Sequence, residues 1–76
     1  MGASHELEKA ATVYAQEAVK YDKQGEKGKA VALYQKASDS LLQLAMKYPE
    51  YGLNKVYLRK AIAYQERIKE LQASIL

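Results

Sequence analysis

The chain has 76 residues, a formal net charge of +3 and no cysteine. A chain this short forms at most one domain and buries only about 60% of its unfolded surface, so binding is expected in surface grooves rather than in a large internal pocket. The lack of cysteine excludes disulfides and thiolate metal sites, and no apolar run reaches the roughly 20 residues that cross a bilayer.

The first predicted element is a helix over about residues 6–23. Residues 1–5 are interpreted as a remnant of cloning or a frayed end, and they lack the basic-then-apolar layout of a signal peptide. Apolar and aromatic residues recur in this helix at steps of three and four, which places them on one face. That face consists of Leu7, Ala11, Tyr14, Ala18 and Tyr21. Gly25 then suits the left-handed position that ends a helix.

The second and third predicted helices cover about residues 27–47 and 53–75, and residues 6–76 are taken as one domain. Their core faces follow the same steps of three and four. These faces consist of Ala30, Leu33, Ala37, Leu41 and Leu44 in the second helix, and of Tyr57, Ala61, Tyr64, Ile68, Leu71 and Ile75 in the third. Turns of about three to five residues make successive helices antiparallel. The predicted fold class is therefore all-α, an antiparallel three-helix bundle that is monomeric as an isolated domain.

Residues for catalysis are scarce in this sequence. The only histidine is His5, so no His or Cys pair can activate a nucleophile. Glu66 and Glu70 lie four residues apart on the third helix, but the cations beside them favour a solvated face over a metal site. Residues 25–30 place Gly-Lys before a helix without the glycine spacing or the Ser/Thr of a phosphate-binding loop. We therefore expect no enzymatic activity, no metal and no cofactor.

The excess of positive charge lies in residues 51–76, which carry five basic and two acidic side chains. This excess is either an ordinary solvated face or a patch that meets acidic groups of a partner. Two flanks border the core face of the third helix. One flank carries Leu58, Ile62, Gln65 and Lys69, and the other carries Val56, Lys60, Ala63 and Arg67. Leu58 and Ile62 either pad the seam with the second helix or anchor an apolar side chain of a partner.

Three segments, in this order, carry a family resemblance. They are residues 18–25 (AVKYDKQG), 30–37 (AVALYQKA) and 64–71 (YQERIKEL). The chain resembles the MIT domain (microtubule interacting and trafficking), whose members read as Lys-Ala-Val, two residues, Asp; then Ala, two residues, Leu-Tyr, two residues, Ala; then Tyr, two residues, Arg, three residues, Leu. The resemblance covers about residues 7–75. The turn at residues 48–50 (YPE) is similar to that of archaeal members attached to the AAA ATPase of the cell-division machinery.

The resemblance implies a function in recruitment. MIT domains bring AAA ATPases to ESCRT-III polymers by binding short motifs near the C-termini of ESCRT-III subunits. The ATPase module would lie outside this chain. With the lack of cysteine, this implies a cytoplasmic protein recruited to membrane-associated filaments.

The resemblance also implies two docking modes beside the third helix. Helical motifs dock between the second and third helices, and extended, proline-containing motifs dock between the first and third. Gln65 stands where the eukaryotic disassembly ATPase has a leucine central to the helical mode, which favours the groove between the first and third helices. The preferred peptide-binding residues are Ala11, Ala15, Val19, Val56, Lys60, Ala63 and Arg67. The alternative set is Leu58, Ile62, Gln65 and Lys69.

Three other functions are weighed against this one. Residues 9–42 could pass for one tetratricopeptide repeat, but residues 43–76 lack the second copy that such an array needs. A nucleic-acid binder is disfavoured because the charge is small and the basic residues form no acid-free stripe on one helix. A bundle that only spaces other domains predicts no peptide binding at all. We expect a peptide partner, no nucleic acid and no direct insertion into a membrane.

Overall fold

Three α-helices make up most of the described chain, which comprises residues 2–75 of a computed structural model, with side chains described from residue 5 to residue 74. In chain order they are α1 (Gly2–Lys23), α2 (Lys27–Lys47) and α3 (Asn54–Ile75). No strand occurs within residues 2–75. The predicted all-α class is confirmed.

α1 begins at Gly2, four residues before the start predicted from the sequence. Residues 2–5 therefore continue the helix and do not form the frayed end that the sequence suggested. The physical reason is that no proline interrupts residues 2–5, and that Ala3 and the residues that follow favour helix. Met1 and Leu76, which the predicted bounds include, lie outside the described residues.

Hydrogen bonds between α2 and α3 define the direction of these helices. The side-chain amide of Asn54 donates to the carbonyl oxygen of Ala45 at 2.6 Å, and the hydroxyl of Ser38 donates to the carbonyl oxygen of Ala61 at 3.5 Å. Residue numbers on α3 therefore rise as those on α2 fall, so α2 and α3 are antiparallel. Because α1 also packs against α2 across a short turn, the predicted three-helix bundle is confirmed.

The turn between α1 and α2 depends on Gly25. Its φ of 78° is the left-handed conformation that glycine adopts without steric cost. Its amide donates to the carbonyl of Asp22 at 3.1 Å, and the amide of Glu26 donates to the carbonyl of Tyr21 at 3.0 Å. These two bonds form a Schellman motif, which satisfies the last carbonyls of α1 and turns the chain back.

The core consists of two clusters. The first contains Ala11, Leu41, Leu44, Ala45, Tyr57 and Ala61. The second contains Ala18, Ala30, Tyr34, Ile68 and Leu71. The half-buried ring of Tyr64 packs against both clusters and so joins them. Four buried residues fall outside the core faces predicted from the sequence, namely Tyr34, Ser38, Ser40 and Ala45.

α1 and α3 do not pack closely on each other. Both contact α2, but within the described residues no Cα atom of α1 lies within 8 Å of a Cα atom of α3. Side chains alone bridge the space between these helices. The bundle therefore has a groove along α1 and α3 with α2 beneath it.

Candidate functional site

The end of the groove nearest the α2–α3 turn holds a recess of about 350 Å³. Its walls come from both α1 and α3, and Leu41 of α2 contributes from below. The lining residues are Glu8, Ala11, Thr12, Leu41, Leu53, Val56, Tyr57, Lys60 and Tyr64. Most of these side chains are apolar or aromatic, with one carboxylate and one ammonium group among them. Such a surface suits an extended chain with small apolar side chains.

A second recess of about 420 Å³ continues the groove. It is lined by Thr12, Ala15, Gln16, Val19, Lys60 and Tyr64. Thr12, Lys60 and Tyr64 line both recesses, so the two are neighbours along one groove. Ala15 on α1 is small and fills little of the space in the second recess.

The sequence-predicted residues of this groove fall into three groups. Ala11, Val56 and Lys60 meet in the first recess, and Ala15, Val19 and Lys60 meet in the second. Ala11 is almost fully buried, so it can serve only as floor. Ala63 is exposed on the same flank of α3 but does not line either recess.

Arg67 is placed differently from the sequence expectation of a cation free to meet a peptide. Its Nε and Nη2 atoms donate to the two carboxylate oxygens of Asp22, each at 2.7 Å, and Nη1 lies 3.4 Å from Glu70. Tyr34 of α2 also donates its hydroxyl to Asp22 at 2.9 Å. Asp22 is therefore held from α3 and α2 at once, and Arg67 is a bridge across one end of the groove.

This arrangement perturbs the titration of its members. The hydrogen bond from Arg67 holds the pKa of the Asp22 carboxyl below its ordinary value, and the Tyr34 hydroxyl acts in the same direction against the opposing effect of burial. Burial, reinforced by the hydrogen bond to Asp22, raises the pKa of Tyr34 to about 12. The pair therefore remains an ion pair, with Tyr34 as a neutral donor, across the physiological range.

A second bridge crosses the opposite end of the groove. Tyr57 of α3 donates its hydroxyl to the carboxylate of Glu8 on α1. Burial and this hydrogen bond raise the pKa of Tyr57 well above its ordinary range. The groove between α1 and α3 thus has a polar side-chain bridge at each end, and both apolar and polar side chains line the walls between the bridges.

The alternative set of residues borders the seam between α2 and α3. Gln65 donates to the hydroxyl of Ser38 at 2.8 Å, and that hydroxyl in turn donates to the carbonyl oxygen of Ala61. This chain of bonds ties the two helices together at mid-seam. Leu58 and Ile62 lie outside it, with Ile62 57% exposed, and Lys69 is solvated.

Several groove residues were not found from the sequence. The largest contribution is that of Tyr64, which was interpreted as core and lines both recesses. The others are Glu8, Thr12, Gln16, Leu41, Leu53 and Tyr57. The only available signal was helical phase, since Glu8 and Thr12 lie one turn apart on the same flank of α1 as Ala15 and Val19.

The described part of the chain offers neither a metal cluster nor a helix that could span a membrane. Among residues 2–75 no group of three or more His, Cys, Asp or Glu side chains could hold a metal ion. Of the helices that the structure describes, none is both long and apolar enough to cross a membrane.

One comparison with known proteins gives a family. The model of the MIT (microtubule interacting and transport) domain matches residues 7–73, which is nearly the whole chain. Among curated proteins none matches the sequence. The match extends through all three helices and includes the α1–α3 groove. The chain belongs to the MIT domain family of protein-interaction modules, which bind peptide motifs.

Proposed function

We propose that this MIT domain binds an extended, proline-containing peptide in the groove between α1 and α3. The peptide would come from the C-terminal region of an ESCRT-III-like protein. Through this contact the domain would recruit an AAA ATPase, whose catalytic module lies outside this chain, to membrane-associated filaments. The role of the domain is binding and not catalysis.

The observation that carries the proposal is the pair of adjoining recesses between α1 and α3. They share Thr12, Lys60 and Tyr64, so a single ligand chain can run through both. From Glu8 to Asp22 the groove follows fourteen residue steps of α1, which is about 21 Å of helix. An extended peptide rises about 3.3 Å per residue, so about six residues of it fit between the bridges.

Shape and side-chain chemistry favour an extended ligand over a helical one. A helix with side chains is about 10–12 Å wide, whereas the groove is bridged by side chains at both ends. Proline suits such a site because it lowers the conformational entropy lost when an extended peptide is ordered. Lys60 supplies a positive charge beside the groove for a carboxylate or a backbone carbonyl of the ligand.

The α2–α3 seam offers a second docking surface, for a helical motif. Its support is a group of exposed apolar side chains, two on α2 and two on α3. They are Leu42, Met46, Leu58 and Ile62, of which Met46 is 81% exposed. Against it stands Gln65, which bonds to Ser38 and puts a polar group where an apolar anchor is needed. The α1–α3 groove is therefore preferred.

The proposal is tested by fluorescence anisotropy with labelled peptides that tile the C-terminal regions of ESCRT-III-like proteins from the source organism. We expect a proline-containing peptide to bind with a micromolar Kd, about −7 to −8 kcal/mol, because the contact is small and the peptide must be ordered. Ala15→Asp should abolish this binding, since it puts a carboxylate in the groove at a half-buried position where the helix can persist.

Leu58→Asp and Ile62→Asp are the matched controls on the other side of α3. Both add the same charge at exposed positions and should leave the affinity of the proline-containing peptide unchanged. If these two variants lose binding while Ala15→Asp binds normally, the peptide binds at the α2–α3 seam and not in the α1–α3 groove. Recruitment itself is checked in the full-length gene, where an ATPase module should follow this domain.

A further inference from the structure

The distance between α1 and α3 is not set by direct packing. In the described parts of these helices no Cα atom of α1 lies within 8 Å of a Cα atom of α3, whereas both helices pack closely on α2. Each helix is oriented by α2, and a small rotation on α2 would widen or narrow the groove. The bridging side chains are therefore well placed to control its width.

Of the two bridges, the one between Arg67 and Asp22 is the more rigid. Both carboxylate oxygens are engaged at 2.7 Å in a fork-to-fork geometry, which fixes orientation as well as distance. The Asp22 side chain is only 14% exposed, so solvent competes weakly for it. The Tyr34 hydroxyl of α2 donates to the same carboxylate, so the bridge joins side chains of all three helices.

This bridge is also connected to the groove floor. The ring of Tyr34 packs against the ring of Tyr64 with centroids 5.7 Å apart, and Tyr64 lines both recesses. Val19 precedes Asp22 by three residues and Ala63 precedes Arg67 by four, so the bridge lies one turn beyond these groove-flank residues. Arg67 itself lines neither recess.

We propose that Asp22 and Arg67 are positioning residues that set the width of the α1–α3 groove, and so its peptide affinity, without contacting the peptide. Only the predicted effect on peptide affinity rests on the proposed peptide-binding function. Its structural part concerns the spacing of two helices and can be measured without any ligand.

The structural part is measured by the distance between two spin labels. The chain has no native cysteine, so labels at Glu17→Cys on α1 and Glu66→Cys on α3 attach only there. Both positions are exposed. We expect Asp22→Asn to broaden the distance distribution relative to the doubly labelled parent. Arg67→Lys, which keeps the charge but loses the fork, should do the same to a smaller extent.

The control variant is Glu70→Gln. It removes the exposed partner of Arg67 at 3.4 Å and leaves the bonds to Asp22 in place. Neither the distance distribution nor the affinity should change. Circular dichroism of each variant identifies any that fails to fold, and Arg67→Lys, the mildest change, then decides the outcome.

The affinity part uses the tightest proline-containing peptide of the tiled set as probe. Its Kd should rise about two- to thirtyfold in Asp22→Asn, the range seen for substitutions that act without touching a ligand. A distance distribution that stays narrow in both Asp22→Asn and Arg67→Lys overturns the positioning role. A broadened distribution with unchanged Kd overturns the link from width to affinity. If the parent binds no peptide, the proposed function fails, while the label distances still decide the positioning role.

Discussion

α3 makes two very different interfaces. Against α2 it packs closely, with Ser38 donating to the backbone carbonyl of Ala61 and Gln65 donating to Ser38. Among the described residues no Cα atom of α1 lies within 8 Å of one of α3; side-chain bridges link the two helices, and a groove lies between them. Small residues occur at both interfaces, with different consequences. Alanines between α2 and α3 allow these two helices to approach closely, whereas alanines on α1 leave open space between α1 and α3.

The largest expected effect is a loss of stability that distinguishes substitutions at two alanines of α3. Ala61 is 1% exposed in the tight interface, and Ala63, two residues later, is exposed on the groove flank. Ala61→Asp buries an unpaired carboxylate at a cost of several kcal/mol, comparable to a total stability of about 5–10 kcal/mol. We expect it to unfold the domain, as should Ala37→Asp in α2, in thermal melts followed by circular dichroism.

Ala63→Asp provides the control for that experiment. The same carboxylate at an exposed position costs only helix propensity, about 0.5 kcal/mol. Its melting temperature should stay within a few degrees of the parent. Equal melting temperatures for Ala61→Asp and the parent would show that the tight interface is wrongly assigned.

The two interfaces should also differ in their response to acid. The pKa of Asp22 is lower in the folded chain than its ordinary 3.8, so its contribution to stability is complete above that pH. The contribution is lost as pH falls through the lower, folded pKa, because only the carboxylate binds Arg67. The difference in melting temperature between the parent and Asp22→Asn should therefore shrink below about pH 4.

Ser38→Ala is the matched variant for the other interface. Ser38 and its partners Gln65 and Ala61 are neutral, so the stability lost in this variant should not vary with pH. A pH-independent difference for Asp22→Asn as well would contradict the ion pair as the link between α1 and α3.

A smaller effect is expected from Gln65→Leu. The variant removes the hydrogen bond to Ser38, which contributes about 1 kcal/mol, and adds an apolar side chain to the α2–α3 seam. Because the α1–α3 groove is on the other flank of α3, the Kd of the proline-containing peptide should not change. A marked gain in affinity for that peptide, measured by anisotropy, would mean that the seam is its binding site.

The smallest expected effect is on salt dependence. Lys60→Ala should weaken peptide binding by at most about 1 kcal/mol, because an exposed ion pair contributes little, and it should flatten the dependence of Kd on ionic strength. Lys69→Ala, on the seam side of the same helix, is the control and should change neither quantity. Equal effects of the two substitutions would show a general attraction between charges with no preferred groove.

Much of the fold could be predicted because the relevant signals are local. Gly25, Pro49 and Gly52 lie in the turns, and steps of three and four placed Ala37 and Ala61 on the faces that are buried. Gly25 was expected in the left-handed conformation and adopts it. Each of these features depends on a residue and its neighbours within a turn or two, which a single sequence displays directly.

The partners and burial of the polar residues were decided by the tertiary structure. Arg67 was expected to meet a peptide, and its partner is Asp22, 45 residues earlier in the chain. Tyr34 is buried although it lies outside the predicted core face, because its ring packs in the second core cluster and its hydroxyl finds an acceptor in Asp22. Gln65 bonds to Ser38 across the seam. No spacing rule connects such residues, since their distances follow from how the helices cross.

The sequence by itself determined three helices, their turns and the small residues along α1. Helical phase could also show that α3 has two flanks beside its core face. Only the tertiary structure decided that α3 packs closely on α2 on one side and is separated from α1 on the other. That outcome depends on the spacing of the helices in the assembled bundle. The backbones of α1 and α3 remain separated, and side-chain bridges cross the groove between them at its two ends.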